Sequence, residues 1–223
     1  MNKGVWEGKQ AEKYGILLLG ESHYDDDDTT LGELVPYETS GVVKYYLDGP
    51  AQKWAEFFTR IAESFGYSYD LRHEFYEKVY FGNYVDRLCG KSGDNTASQM
   101  ISLHRQEYND QLFSYINEHG IRKLFCFSKQ QVYRNLPEAV SGEIFKDYSI
   151  GKIKHGTGGQ NNLISMGTYL HSLEHPFTKV ILKNDLKVYG IRHPSGQSGY
   201  VSSQVYDFLK SQDDLKCIMG PGF

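Results

Sequence analysis

Two short polar segments of this chain bring together the side chains that acid–base and electrostatic chemistry require. Gly20-Glu21-Ser22-His23-Tyr24 supplies a carboxylate, a hydroxyl, an imidazole and a phenol in succession. Far downstream, His193-Pro194-Ser195-Gly196 supplies a second imidazole and hydroxyl beside Pro and Gly. A carboxylate and an imidazole near one another can orient a water molecule, and an imidazole N–H can hold negative charge as it develops. Between them in sequence, Asn83 follows Gly82 and offers a carboxamide that both donates and accepts hydrogen bonds.

The elements around these residues decide whether they can meet. Ile16-Leu17-Leu18-Leu19 is an apolar run within a strand read as Tyr14 to Gly20, and it ends at the first segment. Lys187-Val188-Tyr189-Gly190-Ile191 reads as a strand ending at the second. A continuous apolar run is the mark of a central parallel strand covered on both faces. In an open α/β sheet, ligands bind beyond the carboxyl ends of the strands, so the two segments are expected to wall one site.

The remaining strands are expected at Val79–Val85, at Lys123-Leu124-Phe125-Cys126-Phe127 and near Lys179–Leu182. Helices are read after Pro50, with Trp54, Phe57, Phe58, Ile61 and Phe65 on one face; around Leu71–Lys78; from Ala97 to Glu118, closed by Gly120; and around Gln131–Leu136. Shorter helical pieces are read around Val42–Leu47 and in a closing segment that carries Val201, Val205, Phe208 and Leu209. Region 141–174, with Gly151, Gly156, Gly158 and Gly159, reads as an irregular insertion plus a helix near Leu163–Leu173. Strands separated by helices predict one domain over 1–223: a three-layer α/β/α sandwich on a central, mainly parallel, four-stranded sheet.

Composition narrows the class. The 223 residues form a chain long enough for a substantial core, and no run reaches the roughly 18 apolar residues of a membrane span. The N-terminal residues lack the apolar stretch of a signal peptide, and three scattered cysteines fit reduced thiols, so a cytoplasmic setting is expected. A net charge of −4 counts against tight binding to duplex nucleic acid.

In order and spacing, Gly20–Tyr24, Asn83, the stretch Ile101–Pro137 and Lys187–Ser195 resemble the motifs of the uracil-DNA glycosylase superfamily, over roughly 14–211. That resemblance implies hydrolysis of the N-glycosidic bond of a deaminated or modified base held in a pocket. By similarity, His193 stabilises the leaving base, Asn83 reads its edge, Tyr37 stacks on its ring with Tyr24 as competitor, and Glu21 or His23 orients water. Backbone amides near Gly20 hold the base carbonyl, and Ser195 belongs to the base-binding set. The resemblance implies DNA, single- or double-stranded, or a free nucleobase or nucleoside as partner. No cofactor is expected: the iron–sulfur branch needs four cysteines and this chain has three.

A second reading stays open, a non-catalytic or repurposed nucleobase- or nucleotide-binding module on the same fold. Asp25–Asp28 form an acidic run beside the expected pocket, and past Ser195 only Tyr200 or Val201 offers an apolar wedge for a duplex. A hydrolase of small nucleosides is the third. No metal site is expected: the four consecutive Asp residues lack alternating ligand spacing, and Pro176 ends any helix that would align His171 with His175. Cys126 reads as inert core.

Overall fold

The computed structural model describes residues 4–24, 38–89, 96–149, 163–194 and 200–222. Its axis is the strand β2 (Ile16–Gly20), all five residues of which are buried. Alternation along the strand sends Leu17 and Leu19 into one core and Ile16 and Leu18 into the other, so this single run stitches two layers to the sheet. Burying a side chain of this size contributes about 1.5–3 kcal/mol.

Before β2 lie β1 (Trp6–Glu7) and the single turn α1 (Ala11–Tyr14); after it come α2 (Glu38–Asp48), α3 (Glu56–Ser64), α4 (Arg72–Tyr76) and β3 (Tyr80–Asn83). The second half holds α5 (Thr96–Glu118), β4 (Lys123–Cys126), β5 (Phe145–Ser149), β6 (Leu163–Tyr169), β7 (Leu186–Gly190) and α6 (Ser202–Lys210). Among the described residues the strands form one sheet, in the order β1-β3-β2-β4-β7-β6-β5. The pairs β3–β2, β2–β4 and β4–β7 are parallel. The outer pairs β1–β3, β7–β6 and β6–β5 are antiparallel.

The α/β class and the parallel centre therefore hold, but the sheet has seven strands where four were expected. The additions lie outside the parallel four. The expected helix near Leu163–Leu173 is the strand β6, paired with β5 from Phe145↔Gly167 to Ser149↔Leu163. Its apolar residues at 163, 166 and 170 fit a helical period, but Gly167 fits the sheet: a Cβ there would strike the ring of Phe145. No strand forms at Lys179–Leu182, where Leu182 is buried in loop conformation. The segment Gln131–Leu136 is turn and a short 3-10 helix, Tyr133–Asn135, rather than an α-helix.

Helices cover both faces. The buried side of α5 packs on the face that holds Leu17, Leu124 and Val188. Residues of α2, α3, α4 and α6 pack on the face that holds Leu18, Phe125 and Tyr189. The expected face of α3 is borne out except at Trp54, which lies in the preceding 3-10 turn and is 49% exposed. Within α5, His104 departs from helical geometry (φ −120°, ψ 18°), so the step-by-four row of Met100, His104 and Tyr108 is broken at its middle.

Candidate functional site

Because β3, β2, β4 and β7 are parallel, their carboxyl ends share one edge of the sheet. The register puts Gly20 opposite Asn83 and Cys126 opposite Gly190, which aligns the segments that follow each strand. The ladder runs on past the strands: Tyr84 N donates to Gly20 O at 3.0 Å, Val85 N to Glu21 O at 2.9 Å and Ile191 N to Cys126 O at 2.8 Å. Glu21, His23, Asn83 and His193 are thus held on backbone that is still sheet-like. Six of the eight residues expected in the site lie at this edge; Tyr37 and Ser195 fall outside the described residues, as does the acidic run Asp25–Asp28.

Gly20 is required by its neighbour. A Cβ at this position would collide with Oδ1 of Asn83, so the carboxamide lies directly against the glycine backbone. Asn83 Nδ2 donates to His23 Nε2 at 3.2 Å. Thr39 Oγ1, near the start of α2, stands 2.8 Å from the same nitrogen. An Nε2 that accepts from Asn83 carries no proton, so the ring proton of neutral His23 sits on Nδ1. Burial pushes its pKa down to about 4, against a smaller opposing pull from Asp86. His23 is therefore neutral at physiological pH, and Asn83 keeps a second Nδ2 proton beyond this bond.

Glu21 faces a different set of groups. Ser128 Oγ donates to its Oε2 at 2.7 Å and the Tyr24 hydroxyl to its Oε1 at 3.1 Å. Its charge also reaches His193: burial lowers the pKa of that imidazole, and Glu21 partly restores it. The His193 ring lies against Phe57 of α3, with centroids 5.0 Å apart and planes at 34°. One turn later in α3, Arg60 Nη1 donates to the Pro194 carbonyl at 3.0 Å. Arg60 thereby fixes the chain just past the imidazole.

Glu21 and His23 were expected as a pair of water-orienting groups, and the structure gives them separate partners. One cluster joins His23, Asn83, Thr39 and Gly20; the other joins Glu21, Ser128, Tyr24 and His193. Sequence reasoning missed Ser128, Thr39, Phe57 and Arg60. Ser128 was within reach of the strand-end rule, since it lies two residues past β4, whereas the other three arrive by helix packing. Of the two potential wedge residues, Tyr200 is engaged through its hydroxyl with Ser64 Oγ, whereas Val201 is 43% exposed just ahead of α6.

Away from this edge, His171 and His175 point to different acids. His171 Nδ1 meets Asp185 Oδ1 at 2.6 Å, while His175 Nε2 meets Glu143 Oε1 at 3.3 Å. Among the described residues no group of three or more His, Cys, Asp or Glu is gathered as for a metal ion. Cys126 is fully buried and burial pushes its thiol far up, so it is inert at neutral pH.

No protein-family model matches this chain, and no curated protein or solved structure matches it either.

Proposed function

We propose that the chain hydrolyses the N-glycosidic bond of a deaminated or modified nucleobase, on a uracil-DNA-glycosylase-like fold. The observation that carries this reading is the placement of neutral His193, Glu21 and the amide of Asn83 at the ends of β7, β2 and β3 on one edge of the parallel centre, with Ser128 past the intervening β4 bonded to Glu21. In this reaction the C1′–N bond breaks with its electron pair passing to the base. Water then adds its oxygen to C1′, and its proton passes to the base or to solvent. Neutral His193 donates one N–H to the base oxygen on which charge builds, which stabilises the transition state without a prior proton transfer. Asn83, pinned by His23 and Gly20, offers its second Nδ2 proton to an acceptor on the base edge. Glu21 holds the attacking water once a hydroxyl partner gives way.

A binding module without chemistry is favoured by one observation: both Glu21 oxygens already accept hydrogen bonds from hydroxyls. The same experiment separates the two. Single- and double-stranded oligonucleotides carrying uracil, hypoxanthine or xanthine are incubated with the protein and assayed for alkali-labile abasic sites. Cleavage that falls about a hundredfold or more in His193→Ala supports the hydrolase. Silence across the panel, with folded protein, overturns it in favour of the binding module.

A further inference from the structure

Away from the strand-end site, the described surface holds a recess built by entirely different residues. It lies between the segment 133–139 and the β5–β6 hairpin and has a volume of about 420 Å³, within the range of roughly 300–1,000 Å³ typical of small-molecule sites. We propose that it is a ligand site for a small molecule that carries a planar ring and one anionic group, a phosphate or a carboxylate.

The ring is argued from the walls. Tyr133, Leu136, Pro137, Phe145 and Tyr169 line the recess. Two glycines flatten this apolar surface: any Cβ at Gly190 would strike the Tyr133 ring, and any at Gly167 the Phe145 ring. Both rings therefore lie directly on the sheet. The Tyr169 hydroxyl donates to Pro137 O, which ties the hairpin to the opposite wall and fixes the third ring. A shallow aromatic floor of this kind suits a flat ligand.

The anion is argued from the charges. Arg105, Arg134 and Lys146 line the recess against Glu138 and Asp147. Each carboxylate is already matched. Glu138 lies 3.8 Å from Arg105, whose guanidinium also donates to the carbonyls of Asn135 and Leu136. Asp147 Oδ1 accepts from Lys129 at 3.2 Å and from Ser165 Oγ. Arg134 and Lys146 add positive charge beyond these pairs: neither forms an ion pair with a described residue, and Arg134 acts on Asp147 only at longer range. Arg134 offers the planar fork that pairs with phosphate or carboxylate.

Phenyl phosphate is the probe, because it combines the two features and nothing else; inorganic phosphate and phenol each carry one. Calorimetric titration should show phenyl phosphate binding, with each single-feature compound weaker by about tenfold or more. Arg134→Ala should weaken it by about tenfold, and Ala139→Trp, which fills the recess, should abolish it. Lys146→Glu serves as a second charge variant should Arg134→Ala fold poorly. His193→Ala should bind phenyl phosphate as the parent does, whether or not the carboxyl-edge site is a hydrolase. No binding of phenyl phosphate overturns the proposal, as does binding that survives Ala139→Trp or disappears in His193→Ala.

Discussion

Glu143 and Glu21 each stand beside a histidine, but their carboxylates are held by different kinds of donor. Glu143 and His175 have fully buried side chains with Nε2 3.3 Å from Oε1. The Glu143 carboxylate accepts backbone N–H bonds from Val140 at 2.7 Å and Leu170 at 3.1 Å, while His175 Nδ1 faces Glu138 O at 3.3 Å. The Leu170 bond ties this segment to the end of β6, the Val140 bond closes its own turn, and His175 joins it to the 171–178 loop. Among the described residues, the Glu21 carboxylate accepts from the hydroxyls of Ser128 and of Tyr24, which is 38% exposed, and its imidazole neighbour sits at a strand end. A hydroxyl can rotate away and let a ligand or water take its place; a backbone amide cannot without unfolding its segment. The same pair of residue types is thus a clamp in one region and an exchangeable site in the other.

The sharpest way to break this contrast is to alter one member of each pair in turn. His175→Ala removes a fully buried side chain from beside Glu143 and should cost about 2–5 kcal/mol in urea unfolding, through the cavity it leaves. Glu21→Gln keeps its shape at a half-exposed position and should cost under about 1 kcal/mol, while removing any activity toward the base panel. Equal losses of stability would abolish the distinction.

The pH profile comes next in size. The native chain holds His23 at about 4, below its ordinary 6.5, so between those values the unfolded chain binds a proton that the native state refuses. This contribution to stability is complete above pH 6.5 and is lost as pH falls toward 4, a change of about 3 kcal/mol. The lowered pKa of His193 acts with the same sign. Urea midpoints from pH 4 to 8 should show this slope, and His23→Gln should flatten it; an unchanged slope in that variant would remove His23 as its source.

Gly20→Ala should cost about 1–3 kcal/mol, because the added methyl displaces the Asn83 carboxamide. Its NMR signature is a shifted Asn83 side-chain amide, with the Glu143–His175 region unmoved. The smallest effect belongs to Ser128→Ala, about 1 kcal/mol or less, since a neighbouring water can replace the lost hydroxyl. A larger loss would mean that Glu21 is fixed as firmly as Glu143.

What could be read from the sequence follows the same division. Ile16-Leu17-Leu18-Leu19 and Leu124-Phe125-Cys126 are buried on both faces, so their apolar runs announce central strands without reference to any partner. The polar residues at the end of the first run were found by the same token, while Ser128, past the second, was not. The hairpin was illegible because β5 and β6 are stabilised by pairing across a long connection, and Ser165, Gly167 and Asp147 have no apolar signal of their own. Thr39, Phe57 and Arg60 reach the site only through the packing of α2 and α3. Their residue types were visible, but nothing local marked their destination.

Ser128 and Lys129 are consecutive, yet the serine hydroxyl reaches Glu21 while the lysine ammonium reaches Asp147 at the edge of the aromatic recess. The amide that joins them donates to Ile191 O at 2.9 Å, two residues before His193. That one N–H is a natural spectroscopic reporter. In protein labelled with ¹⁵N-lysine, the Lys129 resonance would move on occupancy of the strand-end site or of the aromatic recess, so one spectrum could screen compounds for both before any reaction is known.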